Sequence, residues 1–189
     1  TGAIVRTVAT THLLDNFAAK HGIPLVETAV GFKYIGEKMR EMPVLIGGEE
    51  SGGLSIIGHI PEKDGVLADM LIAEAIAYEG KPLSQMVAEV IAEADGPLYN
   101  RRLDLHLDNA HKLTVMKTYS EQPPANIAGI DVKEVGRKDG VKFYLTDGSW
   151  ILLRASGTEP LIRVYLETHS AEQLKTLATT METAIDALK

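Results

Sequence analysis

The sequence predicts an α/β chain in two parts: a layer with a mainly parallel sheet, followed by an α+β domain built on an antiparallel sheet. Three observations carry this. Residues 3–46 alternate strand-like runs with helically spaced runs, the pattern of parallel strands joined by crossover helices. Residues 131–167 read as strands broken by Asp-Gly turns, the signature of antiparallel hairpins. Between them "DGPLYN", residues 95–100, marks a joint where the period changes. Domains over 1–95 and 96–189 are therefore expected, each long enough to bury a core.

In order, "AIVRTVA" is strand-like, "THLLDNFAAKHG" has helical spacing and a glycine stop, "PLVETAV" is a strand and "YIGEKMREM" a helix. "VLIGGEE" follows as a strand, so "GGEESGG" lies at a carboxyl end, where open α/β sheets collect ligands. Asp64–Tyr78 predicts an amphipathic helix with Asp64 as its N-cap, and a second helix starts after Pro82. Past the joint, "RRLDLHLD" alternates as a half-buried strand, "NAHKLTVMKTYSE" is helical, and a last helix runs from about Ser170 to Leu188.

Composition narrows the function classes. A net charge of -7, from 26 acidic and 19 basic side chains, argues against general binding to nucleic acid or an anionic membrane. A nucleic-acid module on the second sheet would also need an aromatic stacking platform that the sequence does not offer. The absence of cysteine excludes disulfides, zinc-thiolate sites and thiol nucleophiles. No basic leader or membrane-length apolar run is present, so a cytoplasmic protein is expected.

Three segments could carry chemistry. In "ILLRASGTEPLIRVYLE", Arg154 and Arg163 flank a turn holding Ser156, Gly157 and Thr158. Two guanidinium forks, two hydroxyls and a glycine that admits backbone N–H groups suit a phosphate monoester, although turn chemistry alone would also account for them. In "GGEESGG", an extended chain would point Glu49 and Ser51 one way and Glu50 the other. A carboxylate beside a hydroxyl matches vicinal sugar hydroxyls; a solvated acidic turn is the alternative. In "GHIPEKDG", Lys63 is a surface cation or one held near a transferring phosphoryl group, and His59 reads as a satisfied or solvent-facing histidine. Asp104, His106 and Asp108 alternate in "DLHLD", but a half-buried strand explains them without an ion, and no metal site is expected.

These three segments, in this order and spacing, resemble the α-D-phosphohexomutases, the family of phosphoglucomutases and phosphomannomutases; "TAVGFKYIG" resembles the loop ahead of the sugar-binding turn. The resemblance implies a cytoplasmic isomerase of carbohydrate metabolism and a phosphoprotein. It implies four domains: a phosphoserine domain, a magnesium domain, a sugar-reading domain and a phosphate-gripping domain. The chain resembles the last two, as a C-terminal fragment whose first domain is an incomplete three-layer α/β/α unit. Neither a Ser-His phosphoserine motif nor a D-x-D-x-D-R magnesium loop is found in it. Mg2+ and the rest of the active site would then belong to N-terminal domains of the same chain, and the fragment alone would be inactive. By position, the resemblance makes Glu49 and Ser51 sugar-hydroxyl contacts, and Arg154, Ser156, Gly157, Thr158 and Arg163 the phosphate site. Lys63 falls near phosphoryl transfer, and Phe32 and Lys33 on a substrate-facing loop. The implied substrate is a hexose phosphate and the implied intermediate glucose 1,6-bisphosphate. Gly53 departs from members in which histidine follows Ser-Gly, and with "GFK" and "EKDG" it favours glucose over mannose or glucosamine. A phosphomannomutase or dual-specificity enzyme is the alternative within the family, and a non-catalytic sugar-phosphate module the alternative outside it.

Overall fold

The computed structural model describes residues 1–188 and divides into two compact units, Thr1–Pro97 and one from Leu98 onward.

The first unit holds β1 (Ala3–Thr7), α1 (Leu13–Lys20), β2 (Leu25–Thr28), α2 (Phe32–Glu41), β3 (Val44–Gly48), β4 (Leu54–Ile56), α3 (Gly65–Glu79) and α4 (Leu83–Glu93). Its sheet has the order β2-β1-β3-β4, with β1 parallel to both neighbours and β4 antiparallel to β3. All five residues of the central strand β1 are buried, as a parallel strand covered on both faces requires. Val5 and Val44 pack with Phe32 and Ile35 of α2. Arg6, the charged member of β1, bonds Asp15 of α1 and Glu27 of β2 at 2.6 and 2.9 Å. Burial opposes its charge, but these two carboxylates outweigh burial and raise its pKa.

Two glycines set how closely α2 approaches. A Cβ on Gly47 of β3 would lie 2.3 Å from Ile35 Cγ2, and one on Gly36 would lie 2.3 Å from the Pro61 carbonyl oxygen. Helix α2 thus rests directly on β3 and on the loop that leads to Lys63.

Several elements differ from expectation. Helix α2 starts at Phe32, so Phe32 and Lys33 form its first turn rather than a preceding loop. Strand β4 is an addition to the expected elements, because three residues after a glycine-rich turn give too short a pattern. Helix α3 is present and capped by Asp64, but it is not amphipathic: none of its residues is buried, and Met70 is 67% exposed. Its polar residues Asp69, Glu74 and Glu79 recur every fifth position, turning about 140° each time, so they spread around the axis instead of forming one face.

The second unit holds β5 (Tyr99–His106), α5 (Asn109–Glu121), β6 (Asn126–Ile127), β7 (Ile130–Gly136), β8 (Val141–Leu145), β9 (Trp150–Ala155), β10 (Leu161–Thr168) and α6 (Ala171–Asp186). The order β5-β10-β9-β8-β7-β6 is antiparallel throughout, with β10 central between β5 and β9. Strand β5 begins inside the expected joint, at Tyr99. Alternate residues Val141, Phe143, Ile151, Leu153, Ile162 and Val164 form the core with Val115 of α5 and Leu177, Met181 and Ile185 of α6. The intervening residues face the other way and include Lys142, Arg154 and Arg163. Lys142 is buried, its ammonium 3.9 Å from the centroid of the Trp150 ring. No helix among the described residues is long and apolar enough to cross a membrane.

Gly36→Ala places a methyl group against backbone, which cannot swing aside, so it should destabilise the first unit by about 1–3 kcal/mol. Gly157→Ala, whose Cβ would meet nothing within 4 Å, should not. Denaturant midpoints of the two variants check this. The Asp64 carboxylate is held below its usual 3.8 by the Leu67 N–H first, then by His59 and the Val66 N–H. A depressed folded pKa gives stabilisation that is full above the unfolded value and is lost as pH falls through the folded one. The first turn of α3 should therefore fray on acidification in that window, and Asp64→Asn should remove the dependence, as read by amide exchange at Val66 and Leu67.

Candidate functional site

In the first unit Glu49, Ser51 and Lys63 gather at the turn between β3 and β4, and Lys33 lies on α2. The Glu49 N–H donates to the Gly53 carbonyl at 2.9 Å, and the Gly52 N–H donates to the Glu49 carbonyl at 3.0 Å. Residues 49–52 are therefore a closed β-turn, not the extended run that would point Glu49 and Ser51 the same way. Glycine is needed at the turn's last position, where Gly52 has φ 90°. Ser51 sits exposed on the turn, whereas the Glu49 side chain is only 6% exposed. Glu50 is drawn to the sheet, its Oε2 accepting the Thr7 hydroxyl at 3.3 Å.

Lys63 reaches back over this turn. Its Nζ lies 3.3 Å from Glu49 Oε2, with the lysine side chain 53% exposed. It precedes the N-cap of α3, where Asp64 Oδ1 accepts the N–H groups of Val66 and Leu67 and Oδ2 meets His59 Nε2 at 3.1 Å. Ser55 ties the intervening loop by donating to the Ile60 carbonyl at 2.7 Å. His59 is thus a brace for the cap. Lys33 is exposed on α2, its Nζ 4.7 Å from the Tyr34 ring centroid.

In the second unit β9 and β10 are joined by the loop 156–160, and their register sets Arg154 directly opposite Arg163, with Asp104 of β5 opposite Arg163 on its other side. Neither guanidinium is bare. Arg154 Nε donates to Asp139 at 2.9 Å; Arg163 Nη2 donates to Glu159 at 2.6 Å. Arg163 Nε is buried 3.7 Å from Asp104 Oδ1 and makes no hydrogen bond.

Ser156 is buried at 4% exposure and its Oγ accepts the N–H groups of Thr158 and Glu159 at 3.4 and 3.1 Å. It shapes the loop from within, while Gly157 and Thr158 stand exposed above it. Lys112 is a functional candidate that sequence reasoning missed. From α5 its Nζ donates to the carbonyls of Ser156 and Glu159 at 3.2 and 3.3 Å, clamping both ends of the turn. A lone lysine in a helix carries no periodic or motif signal, and only the tertiary structure reveals its target. The arrangement offers an anion two guanidinium groups, an exposed hydroxyl and an open glycine.

Asp104 and Asp108 do different work. Asp104 bonds Arg102 at 3.0 Å, and Asp108 caps α5 by accepting the His111 N–H at 2.8 Å. Among the described residues no cluster of three or more His, Asp or Glu could hold a metal ion.

Residues 1–94 match the family model for phosphoglucomutase/phosphomannomutase alpha/beta/alpha domain III, and residues 111–184 match that for the phosphoglucomutase/phosphomannomutase C-terminal domain. A phosphoglucomutase/phosphomannomutase of Thermococcus kodakarensis is 32% identical over 92% of this chain and 36% of its own length. A phosphoglucosamine mutase of Acidothermus cellulolyticus is 36% identical over 87% of the chain and 31% of its own. A crystal structure from Thermus thermophilus, provisionally named a phosphomannomutase, superposes with a TM-score of 0.78 at 32% identity, covering 98% of this chain and 36% of that one. The chain thus spans about a third of the length of these relatives. With domain III and the C-terminal domain matched in order over nearly all of its residues, the chain belongs to the α-D-phosphohexomutase family.

Proposed function

We propose that this chain supplies the sugar-hydroxyl and distal-phosphate recognition of a mutase that interconverts glucose 1-phosphate and glucose 6-phosphate through a phosphoserine enzyme and a 1,6-bisphosphate. The observation that carries the reading is the facing pair Arg154 and Arg163 beside an open, serine-shaped turn. A phosphate monoester presents several oxygens and up to two charges, which matches two guanidinium forks. The Thr158 hydroxyl and the backbone at Gly157 supply neutral donors. Ser156, whose oxygen already accepts two loop N–H groups, contributes by holding the loop's shape.

Glu49 and Ser51 take the ring hydroxyls, the carboxylate accepting and the hydroxyl donating or accepting. A bisphosphate intermediate must return in the opposite orientation to give the isomer. One phosphate grip serves both orientations if the hydroxyl contacts read the middle of the ring, whose positions exchange when the sugar turns over. Binding energy at the remote phosphate then positions the reacting one. Lys63 supplies positive charge where phosphoryl oxygens gain charge in the transition state, and Lys33 adds a cation for the substrate. The phosphoserine has no counterpart motif in these 189 residues. Mg2+ has no ligand set among the described ones.

Glycine at position 53 supports glucose over the alternatives within the family. Mannose phosphate remains the second reading, and the names of the curated relatives add glucosamine phosphate as a third. Relative turnover of the three sugar phosphates by an enzyme carrying all four domains decides among them.

Arg154→Ala should weaken binding of glucose 1-phosphate and glucose 6-phosphate by the same amount, about 1.5–3 kcal/mol for one charge-assisted bond; equal and unchanged affinities in calorimetry would remove the assignment. Residues 1–189 alone should give no mutase turnover in a coupled assay even with magnesium and glucose 1,6-bisphosphate added. Interconversion that survives removal of contaminating mutase would place the catalytic centre within this chain.

A further inference from the structure

We infer that Gly53 is a positioning residue whose missing side chain gives Lys63 its path to Glu49, making position 53 a specificity determinant that acts through the lysine. The inference rests on the hexose-phosphate reading for its functional meaning and on geometry for its substance. Gly53 is not among the glycines with positive φ, so the backbone would accept any residue. The requirement is spatial. A Cβ at position 53 would lie 2.8 Å from Lys63 Cδ, 3.5 Å from Lys63 Cβ and 3.4 Å from Glu49 Oε2. The lysine stem therefore occupies the volume where a side chain at 53 would stand, and its ammonium ends 3.3 Å from Glu49 Oε2.

The backbone around this contact is fixed. The Glu49 N–H donates to Gly53 itself, and the Asp64 N–H donates to Leu54 at 3.2 Å. Glu49 is nearly enclosed, whereas the lysine is half in solvent. When a methyl group is added at 53, the flexible lysine stem gives way before the turn does.

The consequence is an exchange. In the free chain Glu49 Oε2 is engaged by Lys63. A sugar hydroxyl donating to that oxygen displaces the ammonium, which becomes available to the ligand's phosphate oxygens. The 3.3 Å separation and the exposure of Lys63 make this a weak pair, suited to being exchanged. A residue larger than glycine at 53 breaks the pair in advance and changes both the carboxylate offered to the ring and the place of the cation. Hexose phosphates differing at the ring position read by Glu49 are then sorted differently.

The test uses zero-length carbodiimide coupling, which joins a carboxylate to an amine in contact, quantified by peptide mass spectrometry. The Lys81–Glu89 pair, 2.8 Å apart and outside the site, is the internal standard. In Gly53→Ala the Glu49–Lys63 product should fall about two- to fivefold against the standard, the population change for loss of a weak ion pair. The melting temperature should stay at the wild-type value. Unchanged coupling overturns the inference. So does an unfolded variant, because the turn rather than the lysine would then have given way. Calorimetry with glucose 1-phosphate supplies a second readout. The double variant Gly53→Ala/Lys63→Met should bind as Lys63→Met alone does, because Gly53 acts through the lysine; multiplied losses would mark a separate structural role and overturn the inference. If glucose 1-phosphate binds none of the proteins while coupling falls as expected, the positioning stands and the hexose-phosphate reading fails.

Discussion

The second unit is organised around an arrangement that is unfavourable by itself: two arginines facing each other across adjacent strands. Cross-strand neighbours on one face hold their Cβ atoms about 5 Å apart. The two guanidinium groups, carried on side chains that leave the same face at neighbouring positions, repel each other, and more strongly at a protein surface than in bulk water. The fold offsets this with carboxylates on every side: Asp139 on Arg154, and Glu159 and Asp104 on Arg163. The register that creates the problem cannot slip. Moving β9 by one residue would turn Ile151 and Leu153 out of the core and Leu152 and Arg154 into it. The hydrophobic alternation of the strands thus fixes a pair of cations beside the 156–160 loop, and Ser156 and Lys112 fix the loop beneath them.

The first unit solves a similar problem by omission. Gly36 and Gly47 remove side chains where helix α2 meets Pro61 and β3, and Gly53 removes one where Lys63 crosses the turn. In each case the glycine matters for space and not for backbone freedom, since none of the three has positive φ. Helix α2, the turn and the α3 cap can therefore approach within contact distance. The same β3–β4 turn holds Glu49 inward and Ser51 outward.

Much of this was legible in the sequence because it rests on short-range physics. Strand alternation, Asp-Gly turns and the Asp64 cap are local, and the corresponding elements form where the pattern places them. The family resemblance was legible for another reason, the order and spacing of three motifs. What was not legible depends on contacts distant in sequence. Lys112 lies 44 and 47 residues from the two carbonyls it bonds. The carboxylates on Arg154 and Arg163 come from three different segments. The 49–52 turn was missed for a different reason: it is closed by the local bond from the Gly52 N–H to the Glu49 carbonyl, where the extended reading assumed a continuing strand. Helix α3 shows the opposite failure. Its pattern suggested an amphipathic helix, but polar residues spaced by five do not define a face, and within its unit none of its residues is fully buried.

On the proposed reading, the ion pairs of the second unit determine which anion its 156–160 loop accepts. Each arginine already has a carboxylate partner: Arg154 with Asp139, Arg163 with Glu159. A ligand therefore gains only the difference between its own interaction and the one it replaces. A singly charged carboxylate or a neutral sugar gains little by such an exchange. A phosphate monoester carries about 1.5–2 negative charges near neutral pH and presents oxygens to two guanidinium forks at once, so it exceeds the resident carboxylate in both charge and geometry. The released carboxylates move into water rather than remaining buried and unpaired, because Glu159 is exposed and Asp139 is about one-quarter exposed. Selectivity for a doubly charged phosphate thus arises from competition inside the protein, and the same competition limits how tightly the phosphate is held. That balance suits a site that must release and regrip its ligand within one reaction cycle.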